Sequence, residues 1–119
     1  MNQYLTDDTI EAIMIRNRRM FYFPMQLTKV QATQDILTLD LSVGAYNCLR
    51  RGGYRTLGDI LDRNFATEEM SSKKQLMMIR NMGKTKAQEI LIRLFFYQFS
   101  VLPAEKKGRY MQTVAAMNS

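Results

Sequence analysis

One stretch constrains this protein more than any other: Leu76-Met77-Met78-Ile79-Arg80-Asn81-Met82-Gly83-Lys84-Thr85-Lys86-Ala87. A short apolar helix runs into Asn81-Met82-Gly83, and Asn and Gly are the residue types that best tolerate positive φ. The pattern therefore reads as a tight turn, with Met82 placed to plug the gap between the helices it joins. A long helix follows, with Ala87, Ile90, Leu91, Leu94, Phe95 and Gln98 along one stripe. The expected fold is all-α.

Upstream, Thr6 is an N-cap candidate for an amphipathic helix over residues 7–19, marked by Ile10, Ile13, Met14 and Asn17. Asp7, Asp8 and Glu11 near its start and Arg16, Arg18 and Arg19 near its end complement the macrodipole. An aromatic run, Met20 to Met25, ends at Pro24-Met25. Two readings stand for Phe21, Tyr22 and Phe23: a docking surface for a partner, or a segment that packs onto the domain that follows. Residues 26–38 fit a linker, a short strand or a short helix. From Leu39 the pattern sharpens. Ser42 caps a helix with Val43, Tyr46 and Leu49 inward, and Gly52-Gly53 ends it. Thr56 caps a second helix over Leu57–Leu61, and residues 64–75 form a polar loop with a helical turn at Thr67. Pro103 closes the region, and a tail helix carries Tyr110, Val114 and Met117 at helical spacing. The expected division is 1–38, 39–102 and 103–119.

Charge and composition narrow the function classes. The 119 residues include seventeen Lys and Arg against eleven Asp and Glu, for a net charge of +6. Residues 1–38 are balanced at four of each sign, while 39–102 hold ten basic and six acidic residues. A basic excess of this kind invites a polyanionic partner through counterion release. There is no histidine, and the one cysteine is Cys48. A Cys/His zinc site, an intrachain disulfide and a His-dependent triad are therefore excluded. Asp7, Asp8 and Glu11 stand where a signal peptide would need a basic start and an apolar core. No apolar run approaches the ~20 residues of a membrane span. The expected compartment is the cytoplasm. No cofactor or metal is expected.

Hydrophobic-x-x-x-x-[Gly/Asn]-hydrophobic-Gly-Lys followed by a helix is the sequence form of a helix-hairpin-helix. Its turn presents amide N–H groups at a helix N-terminus, where the positive end of the dipole favours phosphate. Lys84 and Lys86 fall in the first turn of that helix and oppose the dipole unless an anion is present. The alternative is a structural hairpin with solvated lysines.

The runs LDLSVGAYNCLRRGGYRTLGDIL (39–61) and LMMIRNMGKTKAQEIL (76–91), in that order, resemble the C-terminal domain of the bacterial RNA polymerase alpha subunit. The resemblance covers residues 39–99 and implies a compact helix-hairpin-helix (SAM-like) bundle of 4–5 short helices, here with an extra N-terminal helix. It also implies contact with A/T-rich upstream promoter DNA across the minor groove, and with activators and sigma factor. By position, Asn47, Cys48, Arg50, Asn81, Gly83, Lys84 and Lys86 are the implied DNA-binding residues, and Glu89 matches a later acidic position. Gly44 falls where the family has the arginine that enters the minor groove, Ala45 stands for a small polar residue, and Thr85-Lys86 replaces Lys-Ser. The segment between the two runs is longer than usual. Nothing in 1–38 resembles the subunit's assembly domain, so the expectation is a free-standing copy of the module.

The functional expectation is a weakly sequence-specific DNA-binding accessory module of transcription, with double-stranded DNA as partner. The alternative is a protein-interaction module that keeps the fold and binds RNA polymerase or a transcription factor, through the aromatic segment 20–25 with Phe21, Tyr22 and Phe23 or through the surface that the resemblance implies for activators. No membrane partner is expected, and self-association is an open possibility. Neither Asp7-Asp8 nor Glu68-Glu69 has metal-ligand spacing, and an enzyme is not expected.

Overall fold

The computed structural model describes residues 22–64 and 72–118. The expected helix over 7–19, Phe21 and the turn at Thr67 lie outside them. The described elements are helical, as expected: α1 Lys29–Ala32, a 3-10 turn Ile36–Leu39, α2 Val43–Arg51, α3 Leu57–Asn64, α4 Ser72–Met77, α5 Lys84–Val101 and α6 Ala104–Met117. Residues 26–38, open to three readings from sequence, thus hold α1 and the 3-10 turn.

The protein divides into two compact units, Met25–Gln98 and Met1–Pro24 with Phe99–Ser119. The boundary expected at 38/39 therefore falls inside one unit. The reason is local. Ile36 N–H donates to Arg55 O and Leu57 N–H to Gln34 O, both at 3.0 Å, around an antiparallel bridge between Asp35 and Thr56. Ile36 and Leu39 are fully or almost fully buried, so this segment belongs to the core rather than to a linker.

The Met25–Gln98 unit is built around α5. Ala87, Ile90, Leu91, Leu94, Phe95 and Gln98 are all buried, as their spacing predicts. They share the core with Leu49, Leu57, Ile60 and Leu76. Burying such side chains contributes about 1.5–3 kcal/mol each, which dominates the short helices' own weak propensity. Gln98 is the polar member: its Oε1 accepts from Gln26 N–H at 2.5 Å, while its Nε2 has no partner among the described residues.

Helix α2 departs from the expected inward set. Val43 is 76% exposed, and the buried positions are Ala45, Cys48 and Leu49. The helix is rotated so that its small residues face the hairpin. Its C-terminus follows the reading from sequence with one refinement. Gly52 has φ −79°, and Gly53 adopts the left-handed conformation at +87°. Tyr54 N–H donates to Leu49 O and Gly53 N–H to Arg50 O, both at 3.0 Å, which makes a full Schellman motif. Helix α3 runs to Asn64, beyond the expected end at Leu61, and starts on a reciprocal cap. Asp59 N–H donates to Thr56 Oγ1, and Asp59 Oδ2 accepts from the Arg55 and Thr56 amides.

In the second unit, Phe99, Tyr110 and Val114 are buried, and the Phe99 and Tyr110 rings lie 6.4 Å apart. Met117 is 46% exposed, and Asn118 takes the inward place expected of it. Asn118 brackets Tyr22: Oδ1 accepts from Tyr22 N–H at 2.8 Å and Nδ2 donates to Tyr22 O at 2.6 Å. Tyr110 Oη donates to Pro24 O at 2.8 Å.

Candidate nucleic-acid interface

Helix α2 and the hairpin lie side by side along the length of α2. At one end, Glu89 accepts from Ser42 N–H at 2.6 Å and from Ser42 Oγ at 2.7 Å. A Cβ at Gly44 would lie 3.3 Å from Lys86 Cε. Cys48 Sγ donates to Arg80 O at 3.3 Å. At the far end, a Cβ at Gly52 would meet Ile79 Cγ2 at 3.2 Å. Small residues at 44, 48 and 52 are what let the two segments run this close.

The hairpin turn is held by Asn81 at φ 68°, as its residue type predicts, and by Met82, which is 5% exposed and plugs the gap. Gly83, in contrast, is not in the left-handed region. Its carbonyl accepts the first helical bond, from Ala87 N–H at 3.0 Å, so it is the N-cap of α5. A Cβ there would meet nothing within 4 Å, so the space over the turn is open.

The two adjacent helix starts differ in charge. Ser42 Oγ caps α2 by accepting from Ala45 N–H at 3.3 Å, and Glu89 adds a carboxylate there. The α2 start is thus closed from within. Helix α5 has no acidic residue in its first turn, which instead carries Lys84 and Lys86. Its first amides have no helical acceptor, so two ammonium groups and the positive end of a dipole point the same way. Within the described residues, neither lysine forms an ion pair, nor do Arg50, Arg51 and Arg55.

The residues expected at the interface are not all equally placed. Asn47 is half-buried beside Cys48, and Asn81, Gly83 and Lys84 are exposed. Cys48 must be corrected: it is 3% exposed and bonded to Arg80 O, so it spaces the helices rather than meeting a ligand. Arg50 is exposed, with its guanidinium 5.9 Å over the Tyr46 ring. At about 100° per residue Arg50 lies about 120° around α2 from Gly44, whereas exposed Arg51 lies within about 20° of it. Arg51, Gly44 and Glu89 therefore join the site, although the motif alone does not place them there. The helical period of α2 is enough to find Arg51; Gly44 and Glu89 are matched by position in the resemblance, and the packed helices add that they meet Lys86 and Ser42. Of the aromatic run, Phe23 is 6% exposed and so is withdrawn from any docking surface, while Tyr22 is 38% exposed.

Residues 26–94 match the family described as the C-terminal domain of the bacterial RNA polymerase alpha chain. The protein belongs to this family. The matched span almost coincides with the compact Met25–Gln98 unit, so the alpha C-terminal domain here is a self-contained structural body. The sequence is 32% identical over 94 residues to the DNA-directed RNA polymerase subunit alpha of Thermosynechococcus vestitus, covering 72% of this chain and 27% of that one. It is 36% identical over 63 residues to the alpha subunit of Carboxydothermus hydrogenoformans, covering 53% of this chain and 18% of the relative. Against that of Moorella thermoacetica it is 35% identical over 72 residues, 60% of this chain and 20% of the other. The match thus spans between 18% and 27% of these relatives' lengths. No solved structure gives a significant match. Among the described residues, no helix is long and apolar enough to cross a membrane.

Proposed function

We propose that this alpha C-terminal domain-like protein binds duplex DNA as an accessory module of cytoplasmic transcription, by contact and not by catalysis. One observation carries the reading: of two adjacent helix starts, one is closed by Glu89, while the other leaves Gly83 and Lys84 exposed, with the half-buried Lys86 adding a second cation beside them. Such a start is relieved by an external anion, and a phosphate backbone supplies one. Asn47, Asn81 and Arg51 border the same face, with Arg50 as an outlying backbone contact. Cys48 supports this face from inside.

The absence of histidine and the burial of the one cysteine remove His- and Cys-based catalysis from the site, which favours binding over catalysis. The rival reading, a protein partner docked on Phe21, Tyr22 and Phe23, is weakened because Phe23 is interior.

The test is a salt titration of binding to an A/T-rich duplex. Affinity is expected to fall steeply with salt, and replacing Lys84 and Lys86 together by Ala reduces the slope by about 0.9 for each phosphate no longer neutralised. An NMR titration should move Asn47, Gly83 and Lys84 first. A flat salt dependence, or shifts confined to residues near Tyr22, would overturn the proposal.

A further inference from the structure

Within the DNA-binding reading, on which this rests, we infer that the two lysines of the hairpin do different work: Lys86 is the specificity-determining cation, and Gly44 is the opening that positions it. Both lysines stand in the first turn of α5, yet Lys84 is exposed and Lys86 half-buried. The difference comes from α2. The Lys86 stem crosses Gly44, where a Cβ would lie 3.3 Å from its Cε and 3.9 Å from its Nζ. The ammonium sits 3.5 Å from Asn81 O, in the turn that precedes the helix. Two elements therefore confine one charge.

Among the described residues that charge is not neutralised. Glu89, one turn further along α5, has both carboxylate oxygens on Ser42, and Lys86 forms no ion pair there. A confined, unpaired cation between two helix starts senses the potential of the groove it faces, which is most negative in narrow A/T-rich minor grooves. A loose cation such as Lys84 follows phosphates whatever the sequence. Gly44 makes the arrangement possible. Any side chain there meets the far end of Lys86, which is flexible and would swing aside, carrying the charge away.

The experiment measures binding of the full chain to A/T-rich and G/C-rich duplexes by fluorescence anisotropy across a salt series. Lys86→Ala should bring the A/T over G/C affinity ratio to about one and lower the salt slope by about one unit. Lys84→Ala should lower the slope equally and keep the ratio. Lys86→Met keeps an apolar stem over Gly44 and removes only the charge, so it should behave as Lys86→Ala. Gly44→Arg combined with Lys86→Ala returns a cation to the same place and should restore the ratio. An unchanged ratio in Lys86→Ala, an equal loss of ratio in Lys84→Ala, or wild-type behaviour of Lys86→Met overturns the inference while leaving DNA binding standing. No binding of the wild type to either duplex at low salt overturns the DNA-binding reading itself.

Discussion

Glu89, on the helix after the hairpin, completes the N-terminal cap of Ser42 on α2, receiving both its amide and its hydroxyl. In a capping box the residue three positions after the cap reaches back to the cap's amide. Here that residue is Ala45, and a carboxylate 47 positions away takes its place. The helix start is thereby coupled to the hairpin helix.

That coupling is measurable. Ser42→Ala and Glu89→Ala should each destabilise the fold by about 1 kcal/mol, the usual value of an N-cap. The double variant should cost less than the sum, with a coupling of at least about 0.5 kcal/mol in a denaturant-unfolding cycle. Strict additivity would show that the contact between Ser42 and Glu89 contributes nothing to stability.

Two glycines should respond in opposite ways to alanine. Gly53 stands at φ +87°, so Gly53→Ala is expected to lower stability by about 1 kcal/mol or more through strain alone. Gly83 has neither a positive φ nor a neighbour within 4 Å of its missing Cβ. Gly83→Ala should leave the unfolding midpoint within about 0.5 kcal/mol of wild type, typical of a surface change. It should nonetheless weaken DNA binding, because a methyl over the turn separates the amides from a phosphate. Unaltered affinity in a folded Gly83→Ala protein would place the phosphate elsewhere.

Asn81 tests the turn itself. At φ 68°, Asn81→Gly should be neutral or stabilising, whereas Asn81→Val should cost about 1–2 kcal/mol. Thermal unfolding of the pair decides it: equal midpoints would mean that the turn relaxes out of the left-handed region.

Asp59 gives a pH signature. Hydrogen bonds from the Arg55 and Thr56 amides hold its carboxyl below the ordinary value of 3.8, with the Arg63 charge adding to them. A folded-state value below the unfolded one gives stability that is present above 3.8 and lost as pH falls through the lower value. Asp59→Asn should therefore be less stable than wild type at neutral pH, and the gap should close as pH drops below 3.8. A gap independent of pH would show that the carboxylate charge plays no part.

The hairpin is legible in the sequence because its signals are local. Asn81 and Met82 follow from residue type and near neighbours, and the α5 stripe from a period of 3.6. The Gly52-Gly53 stop and the Ser42 and Thr56 caps are equally local. Val43 and Met117 take places other than those expected because an apolar periodicity marks a face without fixing its rotation to within one residue; Cys48, placed at the DNA face by resemblance, is instead buried against Arg80 O. Asn118 and Ile36 enter the interior through partners far away in sequence, Tyr22 in one case and Arg55 in the other.

Local signals along the chain thus suffice for an all-helical protein, its hairpin, and its kinship with the polymerase alpha C-terminal domain. Propensity, capping and short-range pattern act over a few residues and survive without tertiary context. The closing of the α2 start by Glu89, the seat of Lys86 over Gly44 and the spacing role of Cys48 arise when the helices pack. Each of these joins positions 32 to 47 residues apart, so it depends on how two helices pack and not on what either contains.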